Sequence, residues 1–194
     1  FIEDVFACEF IESPLPPNYM DQSELSLPLD LEISQVGMTV DNTIKTRFIF
    51  VINKGSNKNP SIDVNSSMPH EDRRIPIDQM IYVADGPSDV PVFAVMKQMG
   101  GKAYAVYDPS SELEFEQTCE LVERGRVHNN GPADYTSKSP TSIWMKQKVR
   151  EILRRLVKKK MDKLNEKTGR PPTHINVDNT NLKTMDFKQE MFWQ

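Results

Sequence analysis

The chain has 194 residues, of which 38% are hydrophobic and 27% charged, enough for one compact domain with a polar end. Its net charge of −4 gives no overall attraction to nucleic acid or anionic membrane, and we expect neither as a partner. No apolar run approaches the roughly 20 residues of a membrane span, and no signal peptide is recognisable. The composition therefore predicts a cytoplasmic protein. Cys8 and Cys119 have no CxxC partner, so we expect two buried, reduced thiols.

The first third of the chain predicts two strands and one helix. The sequence opens inside an apolar stretch, which suggests a partial sequence, and residues 5–11 predict a strand. A turn-rich stretch with three prolines follows, and the alternation over residues 27–36 predicts a second strand. Asp41 is a suitable N-cap for a helix through residues 45–52 that ends at Gly55. The polar residues 57–74 predict an inserted loop.

The middle of the chain has the pattern of a parallel sheet. Two short apolar runs, each followed by a helical pattern, predict a strand at 80–84, a helix at 90–99, a strand at 103–107 and a helix at 112–124. In the second helix, Phe115, Cys119 and Val122 have helical spacing and predict the buried face. A βαβα order implies parallel strands with right-handed crossovers.

The remainder predicts one more strand and a long helix. We expect a short strand at Ala133–Tyr135 and a helix over 139–168. The apolar stripe of that helix contains Met145, Val149, Ile152 and Leu156. Its basic residues predict a solvated face in preference to a nucleic-acid or membrane patch; they are Arg150, Arg154, Arg155, Lys158, Lys159, Lys160 and Lys163. The predicted domains are 1–137, the helix 138–168 and a poorly ordered tail, 169–194.

The sharpest chemical feature is the turn Asp85-Gly86-Pro87-Ser88-Asp89, directly after an apolar strand. Ligands in open α/β sheets bind beyond the carboxyl ends of the strands, where both carboxylates can face one crevice. We expect Gly86 to allow a tight turn, Ser88 to offer a hydroxyl and the following helix to add amide donors. Carboxylates without nearby His or Cys suit Mg²⁺. The alternative is an ordinary acidic turn, since Asp-Gly pairs are common turn formers.

The segment from Tyr82 to Pro91 resembles the fourth motif of the haloacid-dehalogenase superfamily, and Gly100 to Tyr107 resembles its bacterial phosphoserine-phosphatase-like branch. The resemblance runs from about Phe1 to Val149. It implies a Rossmann-like core with a parallel sheet that lacks its first strand or strands, plus the long C-terminal helix. It also implies that Asp85 binds Mg²⁺, that Asp89 supports the metal's water shell, and that Gly86 and Ser88 lie near phosphate. Ala84 stands where many relatives have glycine.

The family's third motif is a lysine that begins the helix upstream of this strand. Lys45 lies in the first turn after Asp41, and the resemblance implies that it balances the nucleophile's charge and holds phosphate. Lys54 is the rival, although a cation at a helix C-terminus is expected for dipole reasons alone. A solvated surface lysine is the remaining alternative for Lys45.

The family's first motif, Asp-x-Asp, is absent from all 194 residues. In the family its first Asp attacks phosphorus and its second is the general acid and base. The resemblance therefore implies the C-terminal part of a phosphohydrolase that acts on a small phosphomonoester, here with no nucleophile and inactive alone. Three alternatives stay open: a non-catalytic phosphate- or metal-binding module, an interaction protein that uses the basic helix, and a member of the same superfamily that catalyses dehalogenation or phosphoryl mutation. The acidic pair and the lysine suit phosphate better than a dehalogenase, which does not need Mg²⁺.

Overall fold

The structure is a computed structural model that describes residues 2–12 and 33–168, with side chains to residue 166. Its elements in chain order are β1 (Glu9–Glu12), β2 (Ile33–Met38), α1 (Asn42–Lys54), β3 (Ile81–Ala84), α2 (Val90–Gln98), β4 (Lys102–Tyr107), α3 (Glu112–Glu123), β5 (Asn129–Pro132) and α4 (Pro140–Thr168). The chain divides between Lys148 and Val149 into two compact units, here unit 1 and unit 2. The predicted proline-rich turn, the start of the strand predicted at 27–36 and the tail from 169 lie outside the described residues.

A three-stranded parallel sheet with the order β3-β4-β5 forms the centre of unit 1. Ile81 lies opposite Lys102 at the start of the β3–β4 pair, and Tyr104 lies opposite Asn129 at the start of the β4–β5 pair. The helices α2 and α3 connect successive strands, as the βαβα pattern predicted. The mixed α/β class, the parallel sheet and the long C-terminal helix are therefore confirmed.

Helix α1 begins and ends where the sequence predicted. The Asp41 carboxylate accepts hydrogen bonds from the backbone N–H groups of Thr43 at 2.9 Å and Ile44 at 2.8 Å. These bonds satisfy donors that the first turn of a helix leaves without intrahelical partners. At the other end, Gly55 has φ of 87°, a left-handed conformation that glycine adopts without a Cβ penalty.

The N-terminal strand is shorter and later than predicted. Residues 5–8 are not in a strand; β1 covers Glu9–Glu12 and pairs antiparallel with β2 in a separate two-stranded sheet. Phe6 instead stacks on Phe48 of α1, with ring centroids 4.3 Å apart, so this apolar residue packs without joining a ladder. Cys8 is a free thiol but is exposed, so the prediction that it is buried is wrong.

The prediction of the last strand at Ala133–Tyr135 is also wrong. The structure has β5 at Asn129–Pro132, whereas Asp134 lies in a turn in which its side chain accepts the Thr136 N–H at 2.8 Å. The residues of β5 are poor strand formers by intrinsic preference. Their pairing is decided by the neighbouring buried strand β4, which the local pattern of β5 cannot reveal.

The core of unit 1 lies between the sheet and its helices. Val92, Phe93 and Met96 of α2 are fully buried, and the small side chains of Ala103 and Ala105 on β4 face the same cluster. On α3 the buried residue is Thr118, whereas Phe115 is 48% exposed. The Phe115 ring forms a T-shaped pair with Tyr107, with centroids 5.2 Å apart. The prediction that Phe115 belongs to the buried face is therefore wrong.

The first turns of α4 belong to unit 1, where Trp144 packs against Tyr104 with ring centroids 4.5 Å apart. Of the predicted apolar stripe, Ile152 is buried and Met145 and Leu156 are half-buried, whereas Val149 is 45% exposed. The basic residues of the helix from Arg150 to Lys163 are exposed. None of the helices in the described ranges has the length and apolar composition needed to cross a bilayer.

Gly131→Ala is expected to destabilise unit 1 by about 1–3 kcal/mol, the usual cost of overpacking. A Cβ at residue 131 would overlap the Tyr104 hydroxyl and lie 2.8 Å from Thr141 Oγ1. Neither side chain has room to move, because Tyr104 is 1% exposed and Thr141 is fully buried. Urea unfolding measures the loss. Gly86→Ala is the control, because a Cβ there meets no atom within 4 Å, and equal stability losses in the two variants would contradict the prediction.

Candidate functional site

The acidic turn lies at the carboxyl end of β3. The strand ends at Ala84, Asp85 and Gly86 follow, and a 3₁₀ turn at Pro87–Asp89 leads into α2. The Asp89 side chain makes no capping hydrogen bond to α2, although Asp89 occupies the N-cap position. Its carboxylate is therefore held by other partners.

Asp89 is a buried carboxylate with three side-chain donors around it. Its residue is 1% exposed, and its oxygens lie 3.0 Å and 3.1 Å from the Lys45 ammonium nitrogen. Ser88 Oγ donates to Asp89 Oδ2 at 3.1 Å and accepts from Lys45 Nζ at 3.1 Å. A buried charge is tolerated when it is paired and hydrogen-bonded in this way. The structure thus brings together three of the predicted site residues, Lys45, Ser88 and Asp89.

Tyr82 is the third donor to Asp89, and the sequence did not single it out. Its hydroxyl donates to Asp89 Oδ1. Burial raises the pKa of the Tyr82 phenol above its ordinary value, and the hydrogen-bonded Asp89 carboxylate and the charge of Asp85 act in the same direction. The phenol is therefore a donor at every physiological pH. A tyrosine on the strand that ends in the acidic turn was the available signal, but its direction depends on packing.

The two rival lysines have different partners. Lys45 lies in the first turn of α1, which packs against α2 and against the 3₁₀ turn, and its side chain stays 31% exposed. Lys54, at the other end of α1, donates to the backbone carbonyls of Val64 and Ser66 in the loop that follows the helix. The geometry thus connects Lys45, and not Lys54, with the acidic turn.

Asp85 takes a different position from Asp89. It is exposed and lines an open cleft of about 340 Å³ at the carboxyl ends of all three parallel strands. The other lining residues are Val106, Tyr107, Asp108, Pro109, Glu114 and Ala133. This is the edge of an α/β sheet at which ligands bind.

The other two carboxylates of the cleft already have partners. The backbone N–H and hydroxyl of Ser110 donate to Asp108 at 2.9 Å and 2.8 Å, and these bonds hold the pKa of Asp108 below its ordinary value. Glu114 accepts the backbone N–H of Asp108 at 2.7 Å. Both therefore stabilise the loop after β4. Within the described residues, the Asp85 side chain makes no hydrogen bond or ion pair.

The predicted reason for Gly86 is wrong. Its φ of −159° and ψ of −175° are extended backbone that any residue adopts, so no tight turn requires a glycine there. Gly86 is nevertheless buried, and a Cβ would meet no atom within 4 Å. On the side where a Cβ would lie, no atom beyond its two chain neighbours fills the space next to Gly86. A role for Gly86 near phosphate stays a prediction, with a different physical basis.

The residues at the turn fit Mg²⁺ but not a metal site built wholly from protein. No group of three or more His, Cys, Asp or Glu side chains that could hold a metal occurs among residues 2–12 and 33–168. Mg²⁺ needs only one or two carboxylates and completes its shell with water and phosphate. Asp85, exposed on the cleft, suits that use. Both Asp89 oxygens already accept hydrogen bonds, so Asp89 fits a supporting role better than direct coordination.

The chain is similar to an uncharacterized protein of Borreliella burgdorferi (strain ATCC 35210 / DSM 4680 / CIP 102532 / B31), with 33% identity over 152 residues. The match covers 77% of this chain and 50% of that protein. This chain therefore spans about half the length of the relative that it matches. No family model and no solved structure matches the chain.

Proposed function

We propose that this chain is the C-terminal part of a Mg²⁺-dependent phosphohydrolase of the haloacid-dehalogenase superfamily, which acts on a small phosphomonoester. The observation that carries the proposal is the Lys45 ammonium on the buried Asp89 carboxylate, beside an exposed Asp85 at the strand ends. An exposed acid and a fixed cation at this edge of a parallel sheet suit a phosphoryl group and its metal ion.

In this reaction a carboxylate oxygen of the enzyme would form a bond to phosphorus while the ester P–O bond breaks. A second acid would protonate the leaving alcohol and then deprotonate the water that hydrolyses the aspartyl phosphate. Neither acid belongs to an Asp-x-Asp motif of this sequence. The proposal therefore requires that the nucleophile comes from polypeptide outside these 194 residues. About half of the Borreliella relative lies outside the match, which leaves room for such a segment.

The residues of this chain would supply electrostatic support. Lys45 would offset the negative charge of the nucleophile and the phosphoryl oxygens, while Asp89 keeps its ammonium at the strand ends. Asp85 would hold Mg²⁺, which neutralises charge on the transferring phosphoryl group when bound. Ser88 and the open side of Gly86 would lie beside the phosphate.

Lys45→Met is expected to weaken the binding of inorganic phosphate, measured by calorimetry in Mg²⁺ buffer, at least tenfold. A hydrogen bond to a charged group contributes about 1.5–3 kcal/mol, which corresponds to that factor or more. Gly86→Ala is expected to weaken phosphate binding while the free energy of unfolding stays within about 0.5 kcal/mol. The added methyl group would enter space that is open in the free protein.

Lys54→Met is the matched control, because it removes the same charge from the same helix at a position bound to loop carbonyls. It should leave phosphate affinity unchanged. Loss of binding in Lys54→Met but not in Lys45→Met would refute the assignment. If the unaltered chain binds no phosphate, the proposed site is wrong.

A non-catalytic phosphate- or metal-binding protein is the second candidate, favoured by the lack of Asp-x-Asp in the sequence. Both candidates, the second in its phosphate-binding form, predict phosphate binding through Lys45. The two candidates differ in what they predict for the natural gene product: it hydrolyses a phosphomonoester only if the protein is a phosphohydrolase.

A further inference from the structure

We propose that Tyr82 is a positioning residue, which fixes the Lys45 ammonium at the strand ends by holding the Asp89 carboxylate between them. Tyr82 touches neither the cleft nor, in the proposed reaction, the phosphate. The significance of Tyr82 for catalysis rests on the proposed function. Its effect on the position of Lys45 can be measured whether or not the proposed function is correct.

The position of the Tyr82 hydroxyl is set by the core. The ring meets Phe93 edge to face, with centroids 5.7 Å apart and an interplanar angle of 73°. Phe93 is fully buried, and Tyr82 lies on β3, which pairs with β4 along its whole length. A hydroxyl on so rigid a ring is a fixed point to which a more mobile group can be tied.

Asp89 connects this fixed point with Lys45. Oδ1 accepts from both the Tyr82 hydroxyl and the Lys45 ammonium, and Oδ2 accepts from Lys45 and Ser88. Ser88 is exposed and the Lys45 side chain is 31% exposed, so Tyr82 is the partner of Asp89 that is anchored in the core. Without its hydroxyl, the carboxylate could rotate about its terminal torsion, which is a broad, shallow well for Asp.

Lys45 would follow that rotation. Its ammonium sits on a flexible four-carbon stem, so its position depends on the acceptors that it finds. A phosphate bound by a displaced ammonium loses favourable geometry, whereas the charge itself is unchanged. The expected consequence is weaker anion binding with little loss of stability.

The test compares Tyr82→Phe with the unaltered chain, first by the affinity for inorganic phosphate in Mg²⁺ buffer. Tyr82→Phe should weaken binding about five- to tenfold, less than the loss in Lys45→Met, because the variant removes a hydrogen bond to Asp89 but leaves the Lys45 charge in place. In a Lys45→Met background the same change should have no further effect, because the double-mutant cycle removes the residue through which Tyr82 acts. The second readout is hydrogen exchange of the Lys45 ammonium in ¹⁵N-lysine NMR spectra, which should become several-fold faster in Tyr82→Phe.

Tyr104→Phe is the control, since it removes another buried phenol hydroxyl, one that bonds Thr141 instead of the site. It should change neither readout. The inference is overturned if Tyr82→Phe leaves both readouts unchanged, or if it weakens phosphate binding equally in the Lys45→Met background. If neither the unaltered chain nor its variants bind phosphate while ammonium exchange still quickens, Tyr82 positions Lys45 and the proposed function fails.

Discussion

Asp89→Ala is expected to destabilise unit 1 by about 2–4 kcal/mol. Removal of one member of a buried ion pair leaves its partners uncompensated, and here Lys45 and Tyr82 both lose their acceptor. The typical cost of breaking such a pair is about 3–5 kcal/mol. We place the value lower because the Lys45 side chain, 31% exposed, can turn toward water. Guanidinium unfolding should show a lower midpoint at an unchanged slope.

Asp85→Ala is the matched control, because it removes a carboxylate four positions earlier from the same turn. Asp85 is exposed, so this variant should stay within about 0.5 kcal/mol of the unaltered chain. Asp89→Asn keeps one acceptor oxygen, so its loss of unfolding free energy should lie between those of Asp85→Ala and Asp89→Ala. It also keeps the test possible if Asp89→Ala does not fold. A cost below about 1 kcal/mol for Asp89→Ala, or similar costs for both alanine variants, would show that the buried pair does not stabilise the fold.

Asp85→Asn in the natural gene product is expected to lower Mg²⁺-dependent hydrolysis of p-nitrophenyl phosphate at least 100-fold. The carboxylate would be the ligand that holds the metal at the strand ends, and a factor of 100 corresponds to about 2.7 kcal/mol of lost transition-state stabilisation. Because the side chain is exposed, this loss should occur without a change in melting temperature. The measurement is kcat and KM as a function of Mg²⁺ concentration.

Asp63→Asn provides the control for loss of one negative charge. Asp63 is exposed in the loop after α1, where its Oδ1 accepts the Asn65 N–H at 2.9 Å, a bond that asparagine can also accept. The activity of the Asp63→Asn variant should equal that of the unaltered enzyme. An Asp85→Asn enzyme that keeps its activity within tenfold would refute the metal assignment. A natural gene product without phosphohydrolase activity would favour the binding-protein alternative.

Local interactions explain which parts of the fold were predictable. The capping of α1 by Asp41 and its end at Gly55 depend on hydrogen bonds and backbone angles within a few residues, and both are visible in the sequence. The same holds for β3 and β4, whose apolar runs identify strands of a parallel sheet. The central strand β4 is buried as predicted, whereas β3, at the edge of the three-stranded sheet, is only half-buried. Pairing overrode local preference at β5, where Asn129–Pro132 joins the sheet because β4 offers an edge.

The candidate site divides in the same way. The sequence by itself determined that two carboxylates follow an apolar strand, and that a lysine begins the preceding helix. Only the tertiary structure separated their environments: Asp89 is buried against a lysine 44 residues away, whereas Asp85 faces an open cleft. It also connected Lys45 instead of Lys54 with the turn, and added Tyr82. Burial and partners depend on how α1 and α2 pack together, and residues so distant in sequence carry no local pattern that reveals that packing.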